Sequence, residues 1–241
     1  FGVQSVFRTP LAEAWVLSCH PDGPSYLPDG TMLADYLAAH PEAAGTDCKK
    51  FEMFPVLTKF IDAKNSISIQ VHPSNEYALE HEHQYGKTEM WYVLDCEPGA
   101  FLYYGFDHEI SREELEERIR NNTLTEVLNA VPVKKGDCFF IPSGTLHAIC
   151  KGVVVAEVQQ NSNVTYRVYD YGRVGADGKP RALHVEKALD VTLRTPLSSM
   201  TSAAIWRRVN ISPWMPRTAR LRTQRTRRAL FRCSSQTARV S

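Results

Sequence analysis

Between residues 54 and 170 the chain is written as short apolar or alternating segments, each cut off by a Gly- or Pro-bearing turn, and this punctuation commits it to a β-rich fold. Phe54 to Ile61, Ser66 to His72, Thr88 to Leu94 and Ala100 to Gly105 read as strands. Val131 to Lys134, Asp137 to Ile141, Leu146 to Ile149, Val153 to Gln159 and Thr165 to Tyr169 continue the series. The run Ser66-Ile67-Ser68-Ile69-Gln70-Val71-His72 alternates with period two, and Pro73 ends it because proline cannot donate to a central ladder. Many short strands with such turns predict a double-sheet jelly roll, mainly β, with a few short helices. The helices are expected at Thr31 to His40, closed by Pro41, and within residues 111–130, where Ser111 and Glu114 form a capping box. Residues 75–85 read as a short polar helix or loop.

The charge pattern divides the chain. The formal net charge of +1 averages residues 1–205, at −9, with residues 206–241, which hold ten Arg and no acidic residue. Three stretches are expected: a Pro- and Gly-rich N-terminal extension (1–50) packing on the barrel, the β-rich barrel itself (51–195), and an atypical Arg-rich tail (196–241) that reads as disordered or frame-shifted. No apolar run approaches the roughly 18 residues needed to span a bilayer, and no basic-then-apolar leader is present. An Arg-rich tail without a nucleic-acid-binding motif does not argue for nucleic acid. Six cysteines without a C-x-x-C pair suit a reducing cytoplasm, and Cys96, Cys138 and Cys150 read as small core residues. The expectation is a cytoplasmic protein with no nucleic-acid or membrane partner, a monomer or weak homodimer.

Four side chains in the strand region point to chemistry. Gln70 and His72 are two apart, so in a strand both face one way. Glu89 lies amid Met90-Trp91-Tyr92, where a carboxylate needs a partner, and His147 follows the Pro142-Ser143-Gly144 turn. Two imidazoles, a carboxylate and an amide oxygen form a borderline N/O set that suits zinc, one ion per chain, ahead of other divalent transition metals, with room for water or substrate. His81 and His83 read instead as part of a solvated polar segment.

The segment Lys135 to His147 resembles the second histidine-bearing motif of the cupins. Four further stretches are similar to type I, zinc-dependent phosphomannose isomerases of the short bacterial form: Phe54 to Lys64, Ser68 to Pro73, Gly86 to Tyr92 and Gln159 to Asp170. The resemblance covers roughly residues 10–195 and implies a cupin barrel that interconverts mannose 6-phosphate and fructose 6-phosphate by proton transfer between C1 and C2. It also implies Gln70, His72, Glu89 and His147 as zinc ligands, Arg167 as the active-site arginine and Lys87 as a lysine of the catalytic pocket. Lys59 is a further pocket candidate, and Asp170 a candidate brace for Arg167. Against that family, the segment before Ala12-Glu13-Ala14-Trp15 and the second, smaller β-domain are expected to be missing. A non-catalytic metal-binding cupin that holds a sugar phosphate is the alternative expectation.

Overall fold

The computed structural model describes residues 12–174 and 178–196 of the chain. Its strands are β1 (Glu13–Leu17), β2 (Val56–Ala63), β3 (Ile69–Val71), β4 (Glu89–Cys96), β5 (Phe101–Phe106), β6 (Leu128–Pro132), β7 (Cys138–Ile141), β8 (His147–Ile149), β9 (Val153–Gln160) and β10 (Tyr166–Tyr169). The α-helices are α1 (Leu33–Ala39), α2 (Asn75–His81), α3 (Arg112–Arg120) and α4 (Val185–Val191). Two antiparallel five-stranded sheets result, in the orders β1-β2-β9-β4-β7 and β10-β3-β8-β5-β6. This is the mainly β double sheet that the punctuation predicts, and it is cupin-like as the resemblance implies. Residues 197–241, which hold the Arg-rich tail, lie outside the described residues.

Period-two alternation sorts the side chains. On β9, Val153, Val155, Glu157 and Gln159 are buried while Val158 is exposed. Apolar members of the inward set, with Ile61, Trp91, Leu102, Ile141 and Ile149, form one core. The opposite face of the second sheet, through Ile69, Val71, Tyr166 and Val168, packs on Leu115 and Ile119 of α3 and Ala188 and Leu189 of α4. Each large apolar side chain buried this fully contributes roughly 1.5–3 kcal/mol. The inward Lys59, Glu157, Gln70 and His147 stand outside that apolar accounting, and they mark where the barrel becomes a site.

Local signals explain the element ends. Ser111 Oγ accepts from Glu114 N at 3.1 Å and caps α3, while Ser74 caps α2 by accepting from Tyr77 N. Residues 66–68 do not join β3, since Ser66 Oγ accepts from Lys151 N and the Ser66 carbonyl accepts from Arg173. Residues 13–17, placed in the extension on sequence grounds, form the edge strand of the first sheet. Cys150 is buried as expected, but Cys138 is exposed, because β7 is also an edge strand and its first residue faces out. No helix among the described residues is long and apolar enough to cross a membrane.

Candidate metal centre

Cross-strand register assembles the centre. Gln70 of β3 stands opposite His147 of β8 on one side and Arg167 of β10 on the other. On the first sheet, Trp15, Lys59, Glu157, Trp91 and Phe139 form a single row across all five strands. Glu89, at the start of β4, lies one row away opposite Gln159. His72 follows β3, and its carbonyl accepts from Gly144 N, which ties it to the turn leading into His147.

His72, Glu89 and His147 are fully buried, and their donor atoms all lie within 4.8 Å of one another. His72 Nε2 stands 3.4 Å from Glu89 Oε2, and His147 Nε2 stands 3.3 Å from Glu89 Oε1. His72 Nδ1 lies 2.9 Å from the Val164 carbonyl and His147 Nδ1 lies 2.8 Å from that of Thr145. A carbonyl only accepts, so both Nδ1 atoms carry the proton and each Nε2 presents a lone pair to the carboxylate. Burial, with repulsion from Lys87, pushes His72 down to about 3, and burial lowers His147 as well, so neither imidazole protonates to relieve the contact. Burial would raise Glu89, but its charged surroundings, the Lys87 ammonium first, hold the carboxyl well below its ordinary range. Two imidazole lone pairs therefore face an ionised carboxylate, and His72 Nε2 and Glu89 Oε1 lack a hydrogen-bond partner while Lys87 pairs with Glu89 Oε2. A divalent cation fits this donor set. Gln70 adds an amide 3.5 Å from His147 Nε2, with its nitrogen nearest, so an oxygen ligand there requires the amide to be turned over.

Gln70 and Lys87, which touch His147 and Glu89, line a cavity of about 860 Å³ together with Lys59, Glu157 and Arg167, among others. Lys87 Nζ is 2.8 Å from Glu89 Oε2 and 3.5 Å from Glu157 Oε1. Burial favours the neutral amine, but Glu157 and Glu89 outweigh it and raise Lys87. Burial and the Glu89 charge together raise Glu157, which also accepts from Trp91 Nε1 at 2.9 Å. Glu157 escaped the sequence reading, although a lone carboxylate on the inward face of Val-Val-Val-Ala-Glu-Val-Gln is a legible signal. Arg167 donates from Nη1 to the Ala182 carbonyl at 3.1 Å, and its Nε is buried without a partner. His81 is exposed and bonded to the Tyr77 carbonyl, and His83 is also exposed.

Asp170 does not brace Arg167. It lies just past the end of β10, where Arg181 Nε donates to it at 2.7 Å and Arg173 Nε at 3.1 Å. Burial would raise the Asp170 carboxyl, but the hydrogen bonds of Arg181 and Arg173 outweigh it and lower it. A carboxylate lowered on folding stabilises fully above its unfolded value of about 3.9, and that stabilisation is lost as pH falls through the folded value. Asp170→Asn is therefore expected to cost about 1–3 kcal/mol near neutral pH. Urea unfolding of both proteins should show the difference shrinking below pH 4 and vanishing in stronger acid.

The structure is thus of the cupin-like class, a double sheet with a His/Glu/His cluster fit for a divalent cation beside a cation-rich cavity. Residues 6–98 match the family described as phosphomannose isomerase type I, catalytic domain. Mannose-6-phosphate isomerase of Streptococcus mutans is 46% identical over 183 residues, covering 74% of this chain and 57% of that protein. ManA of Bacillus subtilis, a mannose-6-phosphate isomerase, is 42% identical over 184 residues, covering 74% of this chain and 58% of that protein. The crystal structure of the Bacillus subtilis mannose 6-phosphate isomerase superposes with a TM-score of 0.71 at 43% identity, over 76% of this chain and 59% of that one. A putative mannosephosphate isomerase from Archaeoglobus fulgidus superposes at 0.64 with 26% identity, over 80% of this chain and 60% of that one. Over its matched length the chain is similar to type I phosphomannose isomerases, and it spans somewhat over half the length of these relatives.

Proposed function

We propose that the chain carries a zinc-dependent aldose–ketose isomerase site that interconverts mannose 6-phosphate and fructose 6-phosphate. The observation that carries this reading is the pair of imidazole lone pairs facing an ionised Glu89, itself paired with Lys87, which with Gln70 lines a cation-rich cavity. His72, Glu89 and His147, with Gln70 after its amide turns over, would hold one zinc ion. Bound zinc supplies Lewis-acid stabilisation of the negative charge that develops on the sugar oxygens during C1/C2 proton transfer.

The chain's own residues do the rest. Arg167 offers planar donors and a permanent positive charge to the phosphate or to the developing enediolate. Its Nη1 bond to the Ala182 carbonyl fixes the guanidinium while leaving Nε free. Lys87 keeps Glu89 ionised at 2.8 Å and faces the cavity as a second cation. Glu157 and Lys87, 3.5 Å apart, hold an exchangeable proton beside the site and are the groups placed to pass it. The Lys59 charge balances Glu157 from the other side at 3.8 Å. This arrangement suits a small sugar phosphate, and the proposal keeps the chain a cytoplasmic monomer or weak homodimer.

Zinc-loaded protein is expected to convert mannose 6-phosphate to fructose 6-phosphate, and a chelator to stop it. Calorimetric binding of mannose 6-phosphate without turnover would favour the alternative, a non-catalytic sugar-phosphate-binding cupin. Arg167→Ala is expected to lower kcat/KM by about 100-fold, as loss of a charge-stabilising donor does, with zinc content unchanged. Loss of zinc together with Arg167 would make the arginine structural.

A further inference from the structure

Lys59 is an expensive residue to point inward. It is 6% exposed and stands between Trp15 and Glu157 in the five-strand row, where an apolar residue would pack at no electrostatic cost. Its ammonium lies 4.7 Å from the centre of the Trp15 ring, within the reach of a cation–π interaction. Its two carboxylate neighbours, Glu13 at 3.7 Å and Glu157 at 3.8 Å, are both beyond hydrogen-bond distance. Ring and charges thus steer the ammonium while its N–H groups stay available to the cavity it lines.

Trp15 is itself held from two sides. Its Nε1 donates to Glu13 Oε1 at 3.0 Å, so one Glu13 oxygen fixes the indole while the other faces Lys59. Behind the ring stands Gly23, where an added Cβ would fall 2.6 Å from Trp15 Cε3. The loop carrying Gly23 is tied down by Ser18 N to Ser25 Oγ, Ser25 N to the Ser18 carbonyl and Gly23 N to the His20 carbonyl. The His20 ring meets the indole edge-on at 5.8 Å.

We infer that Trp15, clamped by Glu13 and the Gly23 loop, is a positioning residue that aims the Lys59 ammonium into the cavity for a bound sugar phosphate. The inference rests on the isomerase reading for its substrate, and on the edge-strand geometry for the rest. It makes β1 part of the site, although β1 contributes no metal ligand.

The test uses full-length, zinc-loaded Trp15→Leu, Trp15→Phe, Lys59→Met and the double variant Trp15→Leu/Lys59→Met. Two readouts are taken: kcat and KM for mannose 6-phosphate, and the rate of Lys59 reductive methylation by peptide mass mapping. Trp15→Leu is expected to raise KM about fivefold with little change in kcat, and to speed Lys59 methylation by a similar factor. Trp15→Phe should restore most of both, since a phenyl ring still presents a π face. On the Lys59→Met background, Trp15→Leu should add almost nothing, because the partner it positions is gone. An equal KM penalty in both backgrounds, or unchanged Lys59 methylation, overturns the inference. Should Trp15→Leu fail to fold, Glu13→Gln leaves the indole in place and removes one steering charge, and it must raise both readouts for the inference to survive. A wild type without turnover but with Trp15-dependent protection of Lys59 sinks the isomerase reading and leaves the positioning intact.

Discussion

Glu89→Gln is expected to leave the protein without bound zinc and to cut mannose 6-phosphate turnover by well over about 100-fold, more than loss of a supporting outer-shell contact does. Glu89 provides the only negative charge among the three converging groups, and its oxygens sit 3.3–3.4 Å from the two imidazole nitrogens. A neutral amide there presents one oxygen and one N–H₂ in place of two anionic acceptors, and the N–H₂ would satisfy an imidazole lone pair that a metal needs. The change also costs the zinc-free fold. Removing one partner of a buried ion pair costs about 3–5 kcal/mol, and the lower end applies because Lys87 keeps Glu157 at 3.5 Å. Zinc stoichiometry by elemental analysis and urea unfolding in chelator measure the two effects separately. Full zinc occupancy in Glu89→Gln would show that the ion sits elsewhere. Glu157→Gln is the contrasting variant, expected to retain zinc while losing turnover.

Gly86→Ala is expected to be the most damaging single-methyl change near the site. A Cβ there would lie 2.4 Å from the Ser74 carbonyl carbon, 2.5 Å from its oxygen and 2.6 Å from Asn75 N. These are backbone atoms at the start of α2, so no side chain can swing aside. Gly86 N also donates to Asn75 Oδ1 at 3.0 Å, and the next residue, Lys87, donates from its N to the Pro73 carbonyl. The added methyl must push this strap off the α2 start, and overpacking of this kind costs about 3 kcal/mol or more. The displacement carries Lys87 and Glu89 with it, so zinc affinity should fall along with the melting temperature. Thermal unfolding with and without zinc tests both effects. An unchanged melting temperature would mean that the strap is looser than this packing implies.

How far the sequence could be read depends on whether a residue obeys strand periodicity. Gln70 and His72 share a spacing of two, and strand alternation alone puts them on one side. Alternation says nothing of Lys87, which precedes β4 on a non-strand strap, so in the sequence only the family resemblance points to it. The pairing of Asp170 was misjudged for a related reason: past the end of β10 the chain turns, and two arginines from later in the chain reach both oxygens. Glu157 was overlooked although alternation exposes it as an inward carboxylate. Its significance lies in Lys59 and Lys87 beside it, and that contact depends on the pairing of β2 with β9. Trp15 is the hardest case. Nothing local distinguishes a tryptophan that packs from one that faces a lysine across an edge strand, and only the β1–β2 register does so.

β8 holds just three residues, His147–Ile149, wedged between β3 and β5. It docks late in sequence onto a strand 77 residues earlier, so its closing contact is among the slow, entropy-costly steps of assembly. A metal ion needs His147 as well as His72 and Glu89, and a chain without β8 in place offers an incomplete set. Zinc would then stabilise the finished barrel without helping an earlier folding stage. Its removal from the proposed zinc-bound form should accelerate unfolding far more than it slows refolding, so the ion would act as a latch on the completed barrel.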